Sequence, residues 1–305
     1  MMQDFSPIGT RYLNLFADRA FQGVYGSEPN KDITLSLLNV LLHYQEQIVD
    51  LQFVSTAHYP KNPADRGVVL DLHCKTKDGR RIVIELQKRS QKFFRERTLY
   101  YATYPIQAQG KRGRWNYDIS AVYVVSILDF IIDPHSKDER VVTRKMILDT
   151  ETHVPWTNKL VFINVEMPKF KKSLSECNTL LDKWFFVLKN LHRLSDKPSA
   201  FMEDVFCHLF TVTDKSSFEP AVRTEYEQSE TEYGHMQNAL DYAIEEGKAF
   251  GMAEGRAEGR TEGRTEGQTE LVETMLRNGG DWKVIFQLTG FTQESFERMR
   301  SQVPH

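Results

Sequence analysis

The chain has 305 residues, 40% hydrophobic and 27% charged, with a formal net charge of −3. That allows one sizeable core plus an appendage, and it gives no whole-molecule attraction for a polyanion. No segment approaches the roughly 20 apolar residues that a bilayer-spanning helix needs. The N-terminal stretch lacks a basic flank followed by an apolar run, and Cys74, Cys177 and Cys207 are far apart and odd in number. Neither a disulfide framework nor a CxxC metal site is indicated, and the expectation is an unprocessed, soluble protein of the reducing cytoplasm.

In chain order, Asp18 to Tyr25 reads as a helix, GSEPN as a break, and Lys31 to about Tyr44 as a second helix. Asn30 is its candidate cap, and Ile33, Leu37, Val40 and Leu41 form its apolar face. Val68 to Thr76 and Arg80 to Lys88 read as strands around KDG, followed by a helix from about Ser90 that Pro105 ends or kinks. Between Gln87 and Trp115 lie Lys88, Arg89, Lys92, Arg95, Arg97, Lys111, Arg112 and Arg114, opposed only by Glu96. This is either a local surface for a polyanion or a solvated helix face. Ile119 to Leu128 and Lys159 to Val165 are apolar, β-branched runs of the kind buried strands show. Helices over Leu174 to about Leu194 and Ala200 to about Phe210 follow, so helices alternate with strands and the expected fold class is an α/β sandwich.

After about Ser216 the sequence turns polar, and Gly247, Gly251, Gly255, Gly259, Gly263 and Gly267 then recur at every fourth position, with Glu254, Glu258, Glu262 and Glu266 in register. Each glycine costs a helix about 0.5–1 kcal/mol against alanine. The segment is therefore either a flexible linker or a helix stabilised by self-association into a homo-oligomer. Beyond it, Leu271 to Arg277, a GG break, Asp281 capping WKVIFQL, Gly290 as a stop and Thr292 capping QESFERMR outline a small helical tail. Its last helix offers Gln293, Glu294 and Glu297 where a DNA-reading helix needs donors, which favours a docking or dimerising element over base readout.

The chemistry concentrates in VVLDLHCKTKDGRRIVIELQKR. Matching the apolar faces of two antiparallel strands sets Leu70 opposite Leu86, Leu72 opposite Ile84 and Cys74 opposite Ile82. Lys77, Asp78 and Gly79 are left as the turn. The same register sets Asp71 opposite Glu85, with His73, Val83 and Gln87 on that second face and Lys88 on the first. Two facing carboxylates repel. Either they hold a hard divalent cation such as Mg²⁺ or Mn²⁺, or they lie exposed or neutralised by a basic side chain from elsewhere.

Asp71, the DG turn and the run Glu85, Leu86, Gln87 resemble the PD-(D/E)XK nuclease superfamily, and specifically the Rpn family of recombination-promoting nucleases grouped with transposases. The resemblance extends to the upstream DRAFQGVYGSEPNKDITLSLLNVLL, to RERTLYYATYPIQAQGKRG, to AVYVVSILDF and to the repeat-bearing tail. It implies a restriction-endonuclease-like mixed sheet flanked by helices, and the expected division of the chain is that domain over 1–215, a polar helical connector over 216–246, the tetrapeptide repeat over 247–270 and a helical tail over 271–305. It further implies Mg²⁺-dependent endonucleolytic hydrolysis of DNA, with Mn²⁺ as a substitute, in recombination or mobile-element biology. Asp71 and Glu85 would be metal ligands, and Gln87 would stand where the superfamily has lysine. Asp18 would be a further ligand, or simply the start of a helix. Lys88, Arg97 and Tyr101 are candidate DNA contacts, Arg97 and Tyr101 lying four apart on one helix face. The competing reading is a catalytically weak or inactive DNA-binding or oligomerising protein on the same fold.

Overall fold

Helix α1 (Asp18–Tyr25) buries Ala20, Phe21, Val24 and Tyr25 on one stripe. Helix α2 (Lys31–Leu42) does the same with Ile33, Leu37, Leu38, Leu41 and Leu42. These positions belong to a computed structural model of the protein, which describes residues 10–42, 47–58 and 68–300. The expected extension of α2 to Tyr44 lies outside the described residues. Asn30 does not cap α2. It closes a 3₁₀ turn that runs directly into the helix, and its side-chain amide donates to the Gly23 carbonyl at 3.2 Å.

The strands are β1 (Leu51–Phe53), β2 (Ala57–His58), β3 (Val68–Val69), β4 (Leu72–Thr76) and β5 (Arg81–Gln87). Helix α3 (Phe94–Gln107) follows, then β6 (Val122–Leu128), β7 (Val142–Leu148) and β8 (Pro155–Glu166). Six of the strands form one mixed sheet in the order β1-β4-β5-β6-β8-β7, while β2 and β3 pair by themselves. β5, β6 and β8 are mutually parallel and the other pairs are antiparallel.

The register derived from apolar matching is the observed one: Leu72 pairs with Ile84, His73 with Val83 and Cys74 with Ile82. The turn is also as expected, with Gly79 at φ 92°. The strand before the turn is not continuous, however. It breaks at Leu70 and Asp71, and Val69 pairs with Ala57 instead of facing Gln87. Leu70 consequently packs with Val83, Tyr101 and Tyr104 on the face opposite that of Leu72.

The sheet has helices on both faces. Leu72, Cys74, Ile82, Ile84, Leu86, Val125, Ile127 and Ile163 meet α1, α2, α4 (Leu180–Asn190) and α5 (Asp204–Thr213) around the fully buried Trp184, Phe21 and Phe206. Each such side chain contributes about 1.5–3 kcal/mol through burial. On the other face Ala102 and Ile106 of α3 meet Val122, Val124 and Leu160. Pro105 does not stop α3 at once; it is buried inside the helix, which ends at Gln107. The single helix expected from Leu174 is interrupted, because Thr179 and Asp182 form a capping box that starts α4 afresh.

Helix α6 (Pro220–Arg277) is continuous through the glycine repeat. Contacts divide the chain into two units, 1–230 and 231–305. Within the second, α6 meets α7 (Trp282–Thr289) and α8 (Gln293–Arg300) through buried Val272, Ile285 and Phe296. Asp281 caps α7, and Gly290, at φ 76°, ends it. No helix among the described residues is long and apolar enough to cross a membrane.

A side chain at position 79 would be opposed twice, by the positive φ and by Ser120 Oγ, 2.8 Å from an added Cβ. Gly79→Ala is expected to lower stability by about 1–3 kcal/mol, measured by urea denaturation.

Candidate active site

Asp71 stands where the hairpin ladder stops. Past Leu72 and Ile84 the strands no longer exchange backbone hydrogen bonds, because β3 has turned away to pair with β2. Backbone groups freed at such a break need other partners. Here the two carboxylates supply them: the Leu86 N–H donates to Asp71 Oδ2 at 2.7 Å, and the Asp71 N–H donates to Glu85 Oε1 at 3.3 Å. Each acidic residue thus accepts a hydrogen bond from the other's strand. The second oxygens, Asp71 Oδ1 and Glu85 Oε2, carry no backbone hydrogen bond among the described residues.

Glu85 is only 2% exposed, and Asp71 is half-buried. Burial pushes the Glu85 carboxyl well above its ordinary range, and the neighbouring Asp71 charge adds to the rise. Burial also raises Asp71, aided by Asp18 and opposed by the Leu86 N–H and Arg97. The opposing cation is Arg97, whose Nη2 is 3.9 Å from Glu85 Oε2. Arg97 is held in place by its own neighbours. Its Nε donates to the Tyr101 hydroxyl at 2.9 Å, its Nη1 donates to Gln91 Oε1, and its guanidinium lies 5.1 Å from the Tyr101 ring centre. The structure therefore brings Arg97 to the carboxylates and makes Tyr101 the prop of Arg97, its ring packed beside Val83.

Gln87 shares Glu85's face by alternation along β5. Lys88 faces the other way: its Nζ is 3.9 Å from Asp18 Oδ1 at the start of α1. Burial lowers its pKa, against the nearby charges of Asp18, Glu230 and Asp129. Asp18 is accordingly paired with Lys88. Among the described residues no three His, Cys, Asp or Glu side chains are close enough together to hold a metal ion.

The polar character continues across the sheet in residues that sequence reasoning passed over. Glu85 is in register with Ser126, Ser126 with Asn164, and Asn164 with Thr143, all buried. Ser126 is 1% exposed, and its Oγ has no hydrogen-bond partner among the described residues. The available signal was that Ser126 interrupts the otherwise apolar β6 and Asn164 the apolar run 160–165. An unsatisfied hydroxyl beside a carboxylate pair that, among the described residues, is opposed by Arg97 alone fits a hydrated hard cation. Two carboxylates and retained waters are an ordinary shell for Mg²⁺ or Mn²⁺.

A mixed sheet with helices on both faces, two acidic side chains at the break of a hairpin and a further helical region define a PD-(D/E)XK nuclease fold. A profile of the PD-(D/E)XK nuclease family transposases matches residues 15–243, and the chain belongs to that family. Membership carries a nuclease or transposase-like function, with DNA as the implied substrate. No curated protein and no solved structure matches the chain.

The raised carboxyl pKa values make stability depend on pH in the metal-free protein. Both groups hold protons more tightly when folded, so their contribution is complete below the ordinary carboxylate range of about 4 and is lost as pH rises through the raised folded values. The melting temperature should fall between about pH 5 and pH 8.5 in EDTA. Glu85→Gln keeps an acceptor for the Asp71 N–H and removes the charge, so it should melt higher than the native chain at the upper pH and depend less on pH.

Proposed function

We propose that the protein is a Mg²⁺-dependent DNA endonuclease, with Mn²⁺ as an acceptable substitute, acting in recombination or mobile-element processes. The observation that carries this reading is the buried Asp71–Glu85 pair, whose mutual repulsion and burial call for a cation. Asp71 and Glu85 would hold the metal, which when bound activates a water and offsets charge on the phosphoryl oxygens. Arg97, propped by Tyr101 and Gln91, presents its guanidinium beside Glu85, where it suits a phosphate oxygen of the DNA. Gln87 offers an amide on the same face to orient a water or a phosphate oxygen. It carries no charge, so the cation that the described residues bring to the site is Arg97. Lys88, which meets Asp18 at the start of α1, is a further DNA contact in this reading, and Asp18, whose charge acts on Asp71, is a further metal ligand. The free thiols at Cys74, Cys177 and Cys207 suit a reducing cytoplasm.

Nicking of supercoiled plasmid tests the reading. The native chain should nick in Mg²⁺ and stop in EDTA, and Asp71→Ala and Glu85→Ala should each lose roughly 100-fold or more while remaining folded by circular dichroism. Nicking retained by a pure Asp71→Ala preparation would overturn it.

The repeat in α6 supports a homo-oligomer. Its glycines have open space around them, and the segment is almost wholly exposed, so no described neighbour offsets their cost to the helix. Arginines alternate with Glu254, Glu258, Glu262 and Glu266, so a second copy is complementary in charge as well as able to approach closely. In sedimentation velocity the native chain should run as an oligomer, and a chain with all four glutamates changed to arginine should run as a monomer. A monomeric native chain would refute the association.

A further inference from the structure

The segment joining β5 to α3 borders a cleft of about 200 Å³. Phe93, Phe94 and Phe130 give it apolar walls, and Ser90, Gln91 and Glu96 give it a polar edge. Phe94 is buried and set edge-on to Phe130, with ring centres 5.6 Å apart and planes at 89°. Phe93 is the opposite case. The residue is 64% exposed, and its backbone sits at φ 63°, a left-handed conformation that an aromatic residue rarely adopts. The Phe93 side chain itself gains no burial from that strain. Residues kept in such conformations cluster at binding and catalytic sites.

The surroundings of this ring indicate what it meets. The Lys92 ammonium lies 5.1 Å from the Phe93 ring centre, and Arg95 also borders the cleft. An exposed aromatic face among cations matches a strand that alternates flat bases with phosphates, the combination by which single strands are held. Gln91 joins the cleft to the carboxylates: it lines the one, and it accepts from Arg97, which lies 3.9 Å from Glu85.

We propose that this cleft receives one unstacked nucleobase of the DNA strand whose phosphate lies at the Asp71–Glu85 pair, with Phe93 as the stacking face. The inference rests on the endonuclease reading and deepens it, since it makes DNA with an unpaired base the substrate class. Phe93 stacks on the base, Lys92 and Arg95 take flanking phosphates, and Gln91 and Glu96 offer a donor and an acceptor to the base edge. A base inside an intact duplex has no free face for such a ring and must first leave the stack.

The test is stopped-flow fluorescence of 2-aminopurine DNA mixed with the full chain in Mg²⁺, read before cleavage. Three probes are used: a single strand, a duplex with 2-aminopurine at a mismatch, and the fully paired duplex. Phe93→Asn suits a positive φ and removes the ring without strain. It should weaken binding of the single strand and the mismatched duplex by roughly tenfold or more, the factor one stacked base contributes, and should abolish their fluorescence change. Phe93→Trp should retain both. A response of the single strand alone assigns the cleft to unpaired strands, and a response of the mismatched duplex as well assigns it to bases flipped from a duplex. If Phe93→Asn behaves as the native chain on all three probes, or if no probe responds to the native chain, the base site is refuted. In either event plasmid nicking by the native chain decides the endonuclease reading separately: nicking leaves it standing, and its absence removes it too.

Discussion

Two carboxylates and two backbone N–H groups meet at the point where β3 leaves the hairpin, and the site follows from how they satisfy one another. A strand pair that ended there without partners would strand polar backbone groups in the interior. Asp71 and Glu85 answer that need reciprocally, the Leu86 N–H donating to one and the Asp71 N–H to the other. The bonds that close the fold at this point also hold two negative charges close together in a buried place. Fold and chemistry therefore make opposite demands on the same atoms, because hydrogen bonding secures the carboxylates while burial and mutual repulsion oppose their ionisation.

Helix α3 supplies what the sheet lacks. It lies on the face that carries Glu85, anchored by Ala102 and Ile106 against β6 and β8, so Arg97 reaches Glu85 from above the sheet. Tyr101, one helical turn along, packs beside Val83 and takes a hydrogen bond from Arg97. One guanidinium at 3.9 Å offsets only part of the charge of two carboxylates, which suits a site completed by a cation. The opposite face of the sheet is occupied by the large apolar core, and at its margin the exposed Asp18 pairs with Lys88 while its charge still acts on Asp71.

Much of this was legible beforehand where local pattern and tertiary packing agree. The β4–β5 register followed from apolar alternation and from the Lys77–Gly79 turn, because a slip of one residue would have buried charges and exposed isoleucines. α1, the hinge before α2, and the caps Asp281 and Gly290 were readable because their chemistry is local. β1 and β7 were not. β1 is short, and β7 is an edge strand whose Arg144 and Lys145 break the apolar pattern that marks interior strands. Leu70 was assigned to the wrong face because alternation was carried through a break that nothing in the local sequence announces.

The sequence by itself determined the Leu72–Ile84 register, since a two-residue side-chain period and one tight turn leave a single register that buries the apolar faces, and that register brings Asp71 and Glu85 to the same end of the hairpin. It also determined the helical punctuation of the tail, through glycine and aspartate at positions with only one comfortable backbone conformation. Only the tertiary structure decided which groups surround the carboxylates. Arg97 comes from a separate helix, and Ser126, Asn164 and Thr143 come from three other strands, so their meeting depends on sheet order and helix packing over long sequence separations. Strand alternation specifies the face on which a side chain lies, but the neighbour it finds there is set by packing between elements that no local pattern encodes.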